Sequence, residues 1–304
     1  MFVATDALVI ALRAIAFVAL FQAAGGAIFL TLYERGLTHA SAATLRNVAR
    51  AAALVALCAT VLGYVLTPAR MAGSFGSTFD PSLESLLLRS NSGTAHIARV
   101  VGLAVLLLAL DRASRVNTWA ATAGAALALA SFALMGHTTI HPQRWALAPL
   151  LLVHVGVGAY WVGALAGLYV AVRDAGTGAA ALVAQFSAHA LRLVPAILVA
   201  GVVMAVLLIR SVAEVATPYG AIVLGKALAF AALLALAARN KWRFGPRLSA
   251  GEAGAALGLR RTIVAEWLVI AAVLIATAVL TSLFAPEHLE GGFAPEHELT
   301  APSH

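Results

Sequence analysis

The chain has a single cysteine, little charge and no catalytic signature. Cys58 stands alone within an apolar run, so there is neither a disulfide framework nor a thiolate cluster, and a buried packing role is expected for it. Charged residues make up 11% of the chain against 62% hydrophobic ones, and the mean hydropathy is +0.94. That balance excludes an ordinary soluble domain. No Walker motif, phosphorylation-loop signature or other catalytic constellation is visible, so ATP hydrolysis is not expected and the chain does not read as an enzyme. Residues 1–6 lack a basic n-region, and the first apolar run therefore reads as a retained span rather than a cleaved leader.

What is present is apolar length. Eight runs, about 7–32, 48–67, 94–110, 118–136, 146–172, 189–210, 219–238 and 263–284, are each long enough to cross roughly 30 Å of hydrocarbon. Runs of this length satisfy their backbone in lipid only as helices. The expected fold is all-α, a polytopic membrane bundle of eight spans over 1–284, followed by a polar tail over 285–304. The net charge of +7 is explained by loops rich in Lys and Arg rather than by nucleic acid.

Those loops set the orientation. Arg35, Arg46 and Arg50 follow the first span, Arg112 and Arg115 the third, and six basic residues from Arg239 to Arg261 the seventh. The alternate connections hold Arg70, Arg89, Arg144 and Arg210, offset by Asp80, Glu84 and Glu214. The positive-inside rule then places both termini outside, which in a bacterium is the periplasm of the inner membrane. His96, His137, His141, His288, His297 and His304 fall at that outer face, with His154 somewhat deeper; His39 and His189 fall on the cytoplasmic side as expected solvated residues.

An internal repeat is expected as well. Arg13-to-Gly26 lies over His154-to-Gly167, and Gly93 and Arg99 open the third span as Gly220 and Lys226 open the seventh. The halves, 1–141 and 142–288, read as parallel four-helix units. In the outer loop, Asp80-Pro81 signals a short helix with Leu83, Leu86 and Leu87 on one face. The tail repeats FAPEH at 284–288 and 293–297 and could capture a cation loosely through His288 and its acidic neighbours.

The stretch from Phe132 to Leu165 carries three of the nine histidines where two apolar segments meet. Imidazole suits copper, zinc and haem iron alike, and a polar ring inside lipid usually has a partner. His137 and His154 are the first candidates for ligands, then His96 and His141, with Met135 as a soft thioether donor and His288 as a capture ligand. Trp161 lies seven residues beyond His154 on the same face. Arg13, Arg99 and Lys226 lie at a common depth in the outer half. The sequence places Glu266 at the cytoplasmic end of its span, too far away to pair with them. An anionic ligand such as haem propionate would satisfy these cations, which keeps open a b-type haem held by two of His96, His137 and His154.

The motifs, in order, are Gly93 and Arg99, then Gly136-His137, then His154 with Trp161-Val162-Gly163. Next come Phe186-Ser187, Gly201, Tyr219-Gly220 with Leu224 and Lys226, Arg239-Asn240, and Arg261 with Glu266, closing at Pro286. Together they resemble the CopD family of bacterial inner-membrane copper-resistance and copper-uptake proteins. The resemblance implies a copper-binding membrane protein that takes copper from the periplasm, commonly beside a separate small partner, CopC. Met-rich runs and a CPC motif, found in some other copper transporters, are absent.

Overall fold

The computed structural model describes residues 4–135, 141–174, 178–208 and 217–283, and among them every regular element is helical. The helices are α1 (Ala4–Tyr33), α2 (His39–Val65), α3 (Thr67–Ala72), α4 (Pro81–Arg89), α5 (Asn91–Ala109) and α6 (Arg115–Ala130). After these come α7 (Arg144–Arg173), α8 (Ala179–Leu208), α9 (Pro218–Arg239), α10 (Gly245–Ser249) and α11 (Ala255–Leu283). A π-helical turn, Asn240–Phe244, joins α9 to α10 without a break. Eight of these segments are long and apolar enough to cross a membrane. Several start well before the apolar run that announced them: α2 begins at His39, α8 at Ala179 and α11 at Ala255. Hydropathy registers contact with lipid, whereas a helix continues for as long as its backbone hydrogen bonds do.

The bundle is organised on α1 and α7. Helix α1 packs on α2, α6, α7 and α11, while α7 also packs on α8 and α11. Helix α9 packs chiefly on α11 among the long helices. The α1–α7 seam is built from small residues, as lipid-embedded helix pairs require. A Cβ placed on Gly25 would lie 1.9 Å from the Ala159 carbonyl oxygen, and one on Gly163 would lie 1.9 Å from the Gly25 carbonyl. The two backbones touch, and no side chain fits between them.

Two basic residues close the C-terminus of α11. Arg13 Nη1 donates to the Thr281 carbonyl (3.0 Å) and the Ser282 hydroxyl (2.9 Å). Arg70 Nη2 donates to the Ser282 carbonyl (2.7 Å) while its Nε pairs with Asp6 (3.0 Å). These carbonyls have no partner within their helix, and cations at that end also meet the negative pole of the helix dipole. Arg13 is thus a structural clamp between the first and last spans.

Helix α4 forms where Asp80-Pro81 predicts it. Asp80 Oδ1 accepts from the Ser82 amide (2.9 Å), the Ser82 hydroxyl (2.6 Å) and the Leu83 amide (3.4 Å). Leu87 is buried and Leu83 half-buried, but Leu86 points outward, which corrects the expected single face. The Ser82 hydroxyl, then the two amides, hold the Asp80 carboxyl below its ordinary value of 3.8. A depressed folded-state value means that the cap is intact above the ordinary value and is lost as pH falls through the depressed one. Amide exchange protection at Ser82 and Leu83 should therefore collapse on acidification and persist at neutral pH; protection that is independent of pH contradicts this.

Cys58, expected in the core, instead faces outward from α2. The face of α2 that meets its neighbours is an alanine row, Ala49, Ala53 and Ala56, and the thiol lies beside that row rather than on it.

Candidate metal centre

Helix α7 starts at Arg144, so His154 lies about 15 Å along its axis from that end. The ring is half-buried against α8. Its Nδ1 is buried without a hydrogen-bond partner, although the Ile197 backbone lies beside it. Gly201 of α8 lies against the ring, where an added Cβ would stand at ordinary contact distance, 3.4 Å from Cε1 and 3.6 Å from Nδ1. Lys226, on α9, lies within electrostatic range of the ring and makes no hydrogen bond or ion pair among the described residues. A buried nitrogen lone pair or N–H without a partner is costly, so this atom marks His154 as a ligand-ready group.

The other candidates fare differently. His96 Nδ1 is tied to the Ser92 carbonyl (2.8 Å), and its ring packs on Tyr64 with centroids 5.2 Å apart. His141 Nδ1 accepts from the Gln143 amide (3.1 Å) in an exposed turn. Met135 Sδ lies 3.6 Å from Arg99 Nη2 and acts as its acceptor. His137 and His288 lie outside the described residues. Among the described residues no three His, Cys, Asp or Glu side chains gather as a metal site.

Arg99 is buried, and among the described residues no carboxylate pairs with it. Its Nε donates to Ser131 Oγ (2.9 Å) and its guanidinium stacks 4.6 Å from the Phe132 ring centre. Arg13 and Arg99 thus meet acceptors of the protein itself, and neither needs the anionic ligand that their depth implied.

Two polar networks escaped the sequence reading. Tyr33 Oη contacts both Tyr160 Oη (2.6 Å) and His189 Nδ1 (2.6 Å). His189 is therefore a bundle residue, not a solvated one; it sits ten residues inside α8, whose early start the apolar run concealed. Beside it a groove of about 440 Å³ opens between α1, α7 and α8.

The second network surrounds Glu266, which is 2% exposed. Oε2 accepts from Trp161 Nε1 (3.1 Å) and Oε1 from Asn240 Nδ2 (2.5 Å). Thr262 Oγ1 in turn meets Asn240 Oδ1. Glu266 lies about 16 Å along α11 from its first residue, beyond Arg260 and Arg261, and its side chain turns into the bundle. The signal for it was in the sequence: TIVAEWLVI is apolar on both sides of the acid.

A family model described as copper resistance protein D matches residues 180–280. A second, the N-terminal domain of copper resistance protein D-like proteins, matches 4–143. The copper transport protein CutJ of Bacillus subtilis (strain 168) is 28% identical over 242 residues, 73% of this chain and 42% of CutJ. The chain therefore spans less than half the length of that relative. No solved structure matches.

Proposed function

Because the chain belongs to the copper resistance protein D (CopD) family, we propose that it binds copper at the outer end of the bundle and carries it inward across the bacterial inner membrane. The family and the eight apolar helices make it a multi-pass membrane protein of copper resistance or transport. The residue that carries the finer reading is His154, whose buried Nδ1 makes no well-formed hydrogen bond although the Ile197 backbone lies beside it. Copper is cargo here, not a resident cofactor. A neutral imidazole supplies the lone pair. His137, on the connection just before α7, is the proposed second ligand, with His96, His141, Met135 and His288 as further donors on the outer side. Both termini are proposed to be periplasmic, where a separate CopC-like chaperone would deliver the ion.

The test is direct. Protein purified without added metal and reconstituted into vesicles should take up copper supplied as Cu(I), and metal analysis should find copper in preference to zinc. Vesicles that accumulate no copper above protein-free controls overturn the reading. A Soret band in the purified protein would instead establish the b-type haem alternative.

A further inference from the structure

Glu266 is a buried carboxyl enclosed between α7, α11 and the turn after α9, and among the described residues no cation bonds it. Among the described residues, four cations of the surrounding segments bond or stack on other groups. Arg260 bonds Tyr169 Oη (3.1 Å), Arg239 lies over the Phe244 ring (5.4 Å), Arg247 pairs with Glu252 (2.6 Å) and Arg173 with Asp174 (2.8 Å). On the face of α1, Gln22 takes the Trp267 indole N–H (3.0 Å). The groups that meet the carboxyl are Trp161 and Asn240, both neutral. An ionisable group kept in such a place is costly and calls for a role.

The hydrogen bonds around it close in two ways. With Glu266 ionised, the Trp161 indole and the Asn240 amide N–H donate to its two oxygens, and the Thr262 hydroxyl donates to Asn240 Oδ1. With Glu266 protonated, a half-turn of the Asn240 amide presents Oδ1 to the carboxyl O–H. The amide N–H then donates to Thr262 Oγ1, and that hydroxyl turns to the Leu259 carbonyl (2.8 Å), already within reach. Trp161 donates in both states. A purely structural tie needs only one of these arrangements; here the side-chain amide, whose O and N positions interchange by rotation, lets the site hold or release a proton with every partner satisfied.

Position adds a second argument. Asn240 opens the π-helical turn, in which the Gly245 amide bonds the Asn240 carbonyl, and such turns recur at functional sites because they widen the helix and re-aim a side chain. Asn240 is itself only half-buried, so the network reaches from the core towards the basic end of the bundle. At the other end, Trp161 stands two turns below His154 on the same face of α7, about 10 Å along the axis.

We propose that Glu266 is a proton-exchange site on the copper path, where the arriving cation and a proton compete for one carboxylate. Copper nearing the protonated carboxyl displaces its proton, which leaves towards the outer side, and reprotonation from the inner water through Asn240 releases the cation onward. This rests on the copper-carrying reading above.

Vesicles with a pH-sensitive dye trapped inside and Cu(I) added outside under ascorbate separate the two ideas. In the wild type, copper entry should be accompanied by proton loss from the lumen. E266Q should keep copper binding at the outer side but show proton movement no greater than protein-free vesicles. T262V, which retains both contacts to the carboxyl and removes only the relay's last member, should slow proton movement about tenfold. Copper entry without proton movement in the wild type, or wild-type proton movement in a well-folded E266Q, overturns the proposal and leaves copper transport standing. No copper entry at all overturns the parent reading instead. Infrared spectra then test the carboxyl without copper: a protonated-carboxyl band that shifts in T262V is expected, and a band unaltered by T262V overturns the proposal even if E266Q does not fold.

Discussion

Replacement of Gly163 by alanine should leave almost no stably folded protein. The new methyl would be placed 1.9 Å from the Gly25 carbonyl carbon and oxygen and 2.5 Å from its Cα, all backbone atoms. No rotamer relieves such a contact; α1 and α7 would have to separate. Overpacking a core costs up to about 3 kcal/mol even where side chains can adjust, and here the partners are two central helices that cannot. Every contact of α1 with α7 loosens with them, including the Tyr33–Tyr160 hydrogen bond. Gly156→Ala is the control. A Cβ there meets nothing within 4 Å, and alanine is the better helix former. The yield of monodisperse protein and its midpoint in a detergent unfolding titration should fall sharply for Gly163→Ala and hold or rise for Gly156→Ala. Equal behaviour of the two would show that the seam does not close as described.

His154→Ala should abolish copper uptake while leaving the bundle intact. The substitution removes a half-buried ring whose Nδ1 makes no hydrogen bond, so little structure is lost with it, whereas a metal site loses a direct ligand. Loss of groups that merely support a ligand weakens metal sites 10–100-fold, so removal of the ligand itself should weaken binding by at least about 100-fold. His39→Ala, at an exposed position, should change nothing. His96→Ala should have a smaller effect than His154→Ala, because its Nδ1 is already tied to the Ser92 carbonyl (2.8 Å). Wild-type binding should also weaken in acid, since a protonated imidazole has no lone pair for the metal. Unaltered affinity and stoichiometry in a folded His154→Ala protein would remove His154 from the copper path.

Particular residues show how far the sequence could be read. Asp80-Pro81 announced α4 correctly because an N-cap is a local device: donor and acceptor lie within three residues. Arg13 was legible as a cation inside a span, but its partners, Thr281 and Ser282, lie at the other end of the chain. Only folding brings α11 beside α1, and without it the arginine looked like a request for an anionic ligand. The burial of His189 and the partners of Glu266 were hidden for one shared reason. Each stands near the start of an apolar run, and in each case the helix starts eight or more residues before that run, so that neighbouring segments pack around the side chain. Cys58 fell outside the core because the α2 interface is made by the smallest side chains, a matter of which face meets a neighbour rather than of apolar character.

By itself, then, the sequence determined the helical class, the eight crossings and the family, since all three follow from local composition and the order of short motifs, which folding does not alter. The tertiary structure alone decided that Gly25 and Gly163 bring two backbones into contact, that His154 is seated against α8 beside the Ile197 backbone, and that Trp161, Asn240 and Thr262 enclose Glu266. Those are relations between helices far apart in the chain, fixed by side-chain volume and by the need of each buried polar atom for a partner, and no periodicity within one segment encodes them.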